Sequence, residues 1–374
     1  MKCKIQKTLL QNMLAKVQGF TEKKSTLPIL SHILLEISGD SLQVKATDLH
    51  TSIQVNSPCE VTQAGACAIN GKSFYDIVRE LPDQMVEFWV EEGSHAHIIA
   101  DNNRIKMNVM DAEEYPMVDF MNMDEGHAVD LSVMKPMIER TIISIPSSSE
   151  SDSKYNLGGA LLISGKDGAG RGFIEMVSTD TRRLSVVRFF TGEHIDMGSG
   201  IIVPRKGLQE LKRLMDNKEE DARVLLTKDS IFYISPGTIA TVRLIDGKFP
   251  DYQSVISPEA FPITTRINAQ ELHSVLKVCT AIVSDISNCV RFSFHKDRTI
   301  VFASNPDQGE VETPIPSEHH GEELDINFNP RYFMDCLSFI EGETEIHLKG
   351  SQGPCMITDS GITESKWVIM PMRF

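Results

Sequence analysis

One pattern of residues runs through this chain three times, and that repetition restricts the available folds more than composition does. "LEISGDSLQVKATDLHTSIQV" (35–55), "LISGKDGAGRGFIEMVSTDTRRLSVV" (162–187) and "VRFSFHKDRTIVFASNPDQGEVET" (290–313) each read as strand, turn and strand. Each second strand closes on Ala/Ser–Thr/Ser–Asp/Asn, so that Asp48, Asp180 and Asn305 hold the same place. Downstream, "AINGKSFYDIVRELPD" (68–83), "IVPRKGLQELKRLMDN" (202–217) and "NFNPRYFMDCLSFIEG" (327–342) each pass from an extended start into helical periodicity. In the second of these, Leu208, Leu211, Leu214 and Met215 form one apolar face. Pro204 and Pro330 sit near the helix starts, where a missing N–H costs little. Upstream, 7–20, 132–145 and 268–285 read as amphipathic helices. The segments 86–111, 222–246 and 344–372 read as hairpin sets with Gly-, Ser- and Pro-bearing turns.

The repeats predict three similar α+β domains at 1–120, 128–252 and 262–374, each running helix, strands, helix, strands with helices on one face of antiparallel sheet. "NMDEGHAVD" (122–130) and "ISPEAFPITT" (256–265) are the expected boundaries. A unit of this size holds its own core, unlike a short solenoid repeat. Tandem equal domains are compatible with a curved array that a symmetric oligomer closes, and equally with three domains that never close.

At 374 residues and 41% apolar content the chain can build such cores. It has no apolar run long enough for a membrane helix, and its start lacks a signal-peptide pattern, so a cytoplasmic protein is expected. Seven scattered cysteines without a CxxC pair predict reduced thiols rather than a disulfide framework or structural zinc. The net charge of −15 disfavours an all-over nucleic-acid coat but leaves room for a local basic face.

"STDTRRLSVV" (178–187) admits three readings: a nucleic-acid contact, a catalytic cluster or a strand end. "SGKDGAG" (164–170) lacks the phosphate-loop pattern and reads as a hairpin turn. His319–His320 reads as an exposed polar loop rather than a metal site, and "SSSESDS" (147–153) has no nucleophile elbow. No catalytic residue, metal site or cofactor is expected. A monomeric peptide-binding scaffold on the same repeat is the alternative.

Several strings, in order and on the threefold repeat, carry a resemblance over essentially the whole chain. They are "TLPILSHILLE" (26–36), "ATDL" (46–49), "STDTRRL" (178–184), "IVPRKG" (202–207), "DGKFPDY" (246–252) and "VIMPMRF" (368–374). Together they resemble the bacterial DNA polymerase III beta subunit family of replicative sliding clamps. The resemblance implies a head-to-tail homodimer forming a closed ring around double-stranded DNA, helices toward the pore and sheets outside. It implies no catalysis and a cytoplasmic, nucleoid-associated location. The implied partners are DNA polymerase III alpha and other polymerases, an ATP-dependent clamp loader, and repair or replication proteins that dock through a linear motif. Sequence-independent phosphate attraction suits a protein that must slide.

Carried over position by position, the resemblance implies a partner-peptide groove of Leu157, Thr179, Thr181, Arg182, Arg183, Leu184, Pro250, Val255, Val368, Ile369, Met370, Pro371, Met372 and Arg373. An apolar pocket with adaptable Met suits several partners. The implied DNA-facing residues are Lys24, Lys72, Arg79, Arg205, Lys206, Lys212, Arg213 and Arg331; the ordinary reading of each is a solvated surface cation. The implied dimer seam sets Ile105 and Met107 against Ile282 and Val283, with Arg104 and Lys106 facing Asp285, Glu310 and Glu312; the competing reading of the apolar four is intradomain core. Thr181–Arg182 and Gln253–Ser254 depart from the family pattern, so the groove's polar rim is expected to differ.

Overall fold

A computed structural model describes the chain except for residues 23–25, 92–94, 119, 121–125, 148–155, 193–196, 199, 258–260, 284–287, 361–363 and 374. Lys24, Asp285 and most of the serine-rich stretch therefore lie outside the described residues. Each repeat presents the expected alternation of helix and strand set. The helices are α1 (Lys7–Val17), α2 (Gly71–Glu80), α3 (Leu131–Thr141), α4 (Arg205–Asp216), α5 (Ala269–Ile282) and α6 (Pro330–Leu337). A short strand also opens every repeat, at Lys2–Gln6, His127–Val129 and Ile263–Asn268, ahead of the first expected helix.

Local chemistry accounts for the helix starts. Asn70, Asn268 and Asn329 each end an extended segment and accept a hydrogen bond from a backbone N–H of the first helical turn, satisfying a donor that the helix leaves open. Pro330 occupies the first turn of α6 as expected, whereas Pro204 ends the strand before α4. The apolar face of α4 is buried as its spacing requires. Gly207 is needed there: a Cβ would meet Val242 Cγ1 at 2.2 Å.

The chain divides into two compact units, one of Met1–Met134 with Lys206–Leu244, the other of Lys135–Arg205 with Ile245–Phe374. Each is built on a continuous antiparallel sheet, of 13 strands in the first unit and 12 in the second. The units do not follow the three repeats because backbone pairing crosses the repeat boundaries. In the first unit Thr51–Pro58 pairs with Thr238–Arg243 of the second repeat. In the second unit Arg183–Gly192 pairs with Glu364–Ile369 of the third. Four strands thereby gain a neighbour on a side that would otherwise be an unpaired edge.

Besides the end strands of each sheet, two long stretches pair on one side only among the described residues. Asn103–Asn108 pairs only with His95–Ala100, because the neighbouring strand Gly65–Asn70 reaches just Val109 and Met110. Gly309–Pro316 pairs only with Arg298–Asn305, since Ile263–Asn268 engages from Ser317 onward. His319 is not in an exposed loop, as its acidic neighbours suggested. It is buried in the strand Gly309–His320, with Nδ1 at 2.8 Å from the Thr265 hydroxyl and Nε2 at 2.9 Å from the Glu322 carbonyl. All seven cysteines are free, and burial raises the thiol pKa values of Cys3 and Cys67 to about 12.

Candidate functional site

The strand end inside "STDTRRLSVV" is a tight turn held by its own side chains. Asp180 Oδ1 accepts from the N–H groups of Arg182 (3.0 Å) and Arg183 (2.9 Å), and the Thr179 hydroxyl donates to the Arg183 carbonyl (2.7 Å). Thr181 takes a left-handed conformation, φ 72°, which strains a β-branched residue. The first repeat builds the same turn. Asp48 Oδ1 accepts from His50 and Thr51, the Thr47 hydroxyl donates to the Thr51 carbonyl, and Leu49 has φ 74°. The third cannot follow, since its next residue is Pro306, whose ring forbids positive φ; Asn305 instead accepts from Asp307 N–H. The Thr–Asp element is therefore structural.

In the second unit this turn forms one wall of a cavity of about 280 Å³. Leu157, Thr179, Thr181, Arg183, Leu184, Pro250, Val255, Val368 and Met370 converge on it, together with Asp251 and Tyr252, which the groove expectation omitted. The remaining five expected residues do not line it. Ile369 is 1% exposed and belongs to the core beneath. Arg182 and Arg373 are exposed, and Pro371 and Met372 half-buried, with Met372 N–H donating to the Asn327 carbonyl at 2.8 Å. Val368 reaches the cavity because its strand pairs with Arg183–Gly192, setting it opposite Leu184.

The polar groups of the wall are fixed. Arg183 binds Asp180 (3.1 Å) and Asp335 (2.5 Å) and lies over the Tyr332 ring at 4.3 Å, so its charge is compensated. The Tyr252 hydroxyl donates to Glu175, a buried carboxylate whose other oxygen takes two guanidinium bonds from Arg188, at 2.8 and 2.7 Å. Burial, followed by the Glu175 charge, pushes the Tyr252 hydroxyl pKa up. The outcome is an apolar cleft with an immobilised frame, suited to burying a few anchor side chains rather than to bond chemistry. Among the described residues no three His, Cys, Asp or Glu group as metal ligands, and no helix is long and apolar enough to cross a membrane.

Models of the DNA polymerase III beta subunit match in chain order: N-terminal domain at 1–119, central domain at 128–251, C-terminal domain at 254–373. The chain belongs to the DNA polymerase III beta subunit family. It is 29% identical to the beta sliding clamp of Chlamydia muridarum over 374 residues, covering 100% of this chain and 99% of the relative. It is 28% identical to that of Caulobacter vibrioides over 376 residues, covering 100% of each. Among solved structures, the sliding clamp of Bartonella birtlesii bound to griselimycin superposes with TM-score 0.91 at 26% identity, and that of Caulobacter crescentus with 0.89 at 27%, each covering 100% of both chains. Membership carries the family's function, a processivity clamp for the replicative polymerase.

For a clamp, the expected DNA-facing cations divide into two classes. Arg205 is half-buried and donates to the Ile142 and Ile145 carbonyls, closing the chain end beyond α3. Arg213 donates to the Ala15 and Lys16 carbonyls at 2.6 Å each and pairs with Glu210, so its guanidinium closes the C-terminal end of α1. Both guanidiniums thus already hold backbone carbonyls of the fold. Lys206 pairs with the buried Asp48 carboxylate. Burial alone would raise the Asp48 pKa, but the Lys206 hydrogen bond, the Thr51 N–H, the Lys206 charge and the His50 N–H outweigh it and hold the pKa below the usual value. Lys72, Arg79 and Arg331 are exposed and Lys212 half-exposed. Arg79 pairs with Glu80 at 2.9 Å and Lys212 with Asp216 at 3.3 Å.

At the expected seam, Ile105 and Met107 are half-buried and alternate with exposed Arg104 and Lys106 along the open edge Asn103–Asn108. Ile282 is half-buried at the end of α5, while Val283, at 9% exposure, packs into the second unit's core, the competing reading of that residue. Glu310 and Glu312 lie exposed on the other open edge.

Proposed function

We propose that the chain works as a non-catalytic head-to-tail homodimeric ring, each subunit of three domains at 1–120, 128–252 and 262–374, that encloses duplex DNA. On this reading the cavity at Leu184, Val368 and Met370 receives a linear peptide from DNA polymerase III alpha, other polymerases, the ATP-dependent loader or repair proteins. That cavity carries the proposal: a mostly apolar, pre-formed cleft on a family member assembled from residues far apart in sequence. Tethering a polymerase there would raise its effective concentration on DNA.

The two open edges support the dimer. A strand edge with unpaired N–H and C=O groups is a template for another strand. One edge presents Arg104 and Lys106, the other Glu310 and Glu312, so the charges favour joining them head to tail. Pro314 and Pro316 suit an edge position and not a central strand. For DNA, the reading narrows to Lys72, Arg79, Lys212 and Arg331. The surface ion pairs of Arg79 and Lys212 are weak enough to exchange for phosphate.

Loaded protein should stay on a circular plasmid and leave when the plasmid is cut. Loss in salt before cutting, equal on circular and linear DNA, would mark ordinary electrostatic binding. Sedimentation should give twice the 41.8 kDa chain mass. Reversing Arg104 and Lys106 to Glu should yield monomers, and Glu310→Lys with Glu312→Lys should restore the dimer. An undisturbed dimer in the first variant would remove this seam.

A further inference from the structure

We propose that Cys3 and Cys59 form a redox modification site, which a small-molecule disulfide such as oxidised glutathione converts to a Cys3–Cys59 disulfide. Cys3 lies in the strand Lys2–Gln6, and Cys59 immediately precedes the strand Glu60–Gln63. The two strands pair antiparallel, with Cys3 opposite Val61 and Lys4 opposite Glu60. The two cysteines thus fall on adjacent chain segments, and their thiols hydrogen-bond each other. Glu60–Gln63 is the last strand of the 13-strand sheet, with Lys2–Gln6 as its neighbour there. A bond between the cysteines would staple the sheet's outermost strand to the strand that holds it.

Access and position set this pair apart from the other cysteines. Cys59 is half-buried, so a small oxidant reaches it, whereas Cys3 and Cys67 are 0% and 1% exposed. Cys67 lies in Gly65–Asn70, which pairs with His32–Ser38 and Asn103–Met110 and not with Lys2–Gln6. Cys336 and Cys355 also neighbour each other, but both are fully buried and offer no first point of attack. Cys289 is half-buried, but no thiol adjoins it among the described residues, so it can hold a mixed disulfide without closing a bond.

The exchange balances. The Cys59 thiolate attacks one sulfur of oxidised glutathione, whose sulfur–sulfur bond breaks and releases one glutathione thiolate. The Cys3 thiolate then attacks Cys59 Sγ, and the second glutathione leaves. Two protein thiols are oxidised to one disulfide, one glutathione disulfide is reduced to two thiols, and the two protein protons end on the glutathiones. The second step is intramolecular, between groups already in contact, which favours it over a lasting mixed disulfide. Burial, followed by the Asp40 charge, raises the Cys59 thiol pKa. Formation is therefore slow near neutral pH. Reduction is slow too, because it must expel a thiolate from the same buried surroundings.

The test exposes the full-length protein to oxidised glutathione and digests it, without reductant, with a glutamate-specific protease. Cleavage at Glu60 separates Cys59 from Cys67. Mass spectrometry should find the peptides of Cys3 and Cys59 joined, and dithiothreitol should part them. In Cys289→Ser, which removes the other half-buried thiol, oxidation should cost two of the thiols that titrate in denaturant. Cys59→Ser should abolish the link. A digest without joined peptides, Cys59 carrying glutathione alone, or a link that runs through Cys67 instead overturns the proposal.

Discussion

The turns at Thr47–Thr51 and Thr179–Arg183 share hydrogen bonds and a left-handed third residue, yet their surroundings differ. Beside the first, Tyr115 donates its hydroxyl to the His32 carbonyl and accepts from Thr47 N–H, and packs with Ile29 and Leu30 into a closed apolar cluster. Arg243 N–H binds the His50 carbonyl, and Lys206 neutralises Asp48. Beside the second, Met370 takes the place of Arg243 in the equivalent bond, and the space stays open as the cavity. A repeated turn is thus a reusable bracket. What fills the corner next to it, a buried tyrosine with its own chain segment or nothing, decides whether it closes a core or frames a site.

The comparison can be broken most severely by ending the chain after Ile369. This removes Met370 and its bond to Arg182 but leaves the core strand; peptide titration should show binding lost, and sedimentation should show the dimer kept. Next, Met370→Arg installs the residue of the first corner and should weaken peptide binding roughly tenfold or more. The reverse exchange, Arg243→Met, should create no site, because Leu30 and Tyr115 already fill that corner. Lys206→Met uncovers a buried carboxylate. With Lys206 partly exposed, the loss should be about 1–3 kcal/mol in denaturant unfolding. The Asp48 pKa is lowered in the folded state, so its contribution is complete above the ordinary carboxylate range and fades as pH falls through the lowered value. The variant's deficit should accordingly narrow below about pH 4. The smallest effect sharpens the likeness: Thr181→Gly and Leu49→Gly each relieve a positive φ and should gain about 1 kcal/mol, less glycine's added chain entropy. Only the former should alter peptide affinity.

These contrasts explain what could be read in advance. The alternation of helix and strand was legible because 3.6-residue and two-residue periodicities are local, and because three copies supported one another. The groove's residues came through resemblance, and nine of them, six apolar, do meet at one cavity. Asp251 and Tyr252 lay inside a recognised string, "DGKFPDY", yet nothing in it signals that they face the cavity. The bonds of Arg205 and Arg213 could not be read in advance because their acceptors, carbonyls at Ile142, Ile145, Ala15 and Lys16, are remote in sequence. The division of the second repeat between two sheets was hidden for the same reason, since strand partners are chosen by tertiary pairing.

That shared pairing has a mechanical consequence. A protease cut at the boundary between the first and second repeats would sever the covalent link but leave Thr51–Val55 zipped to Thr238–Val242. A cut between the second and third would leave Arg183–Arg188 zipped to Glu364–Ile369. A pull along the chain would therefore meet two antiparallel ladders, and the peptide linkers would carry little of the load until those ladders sheared.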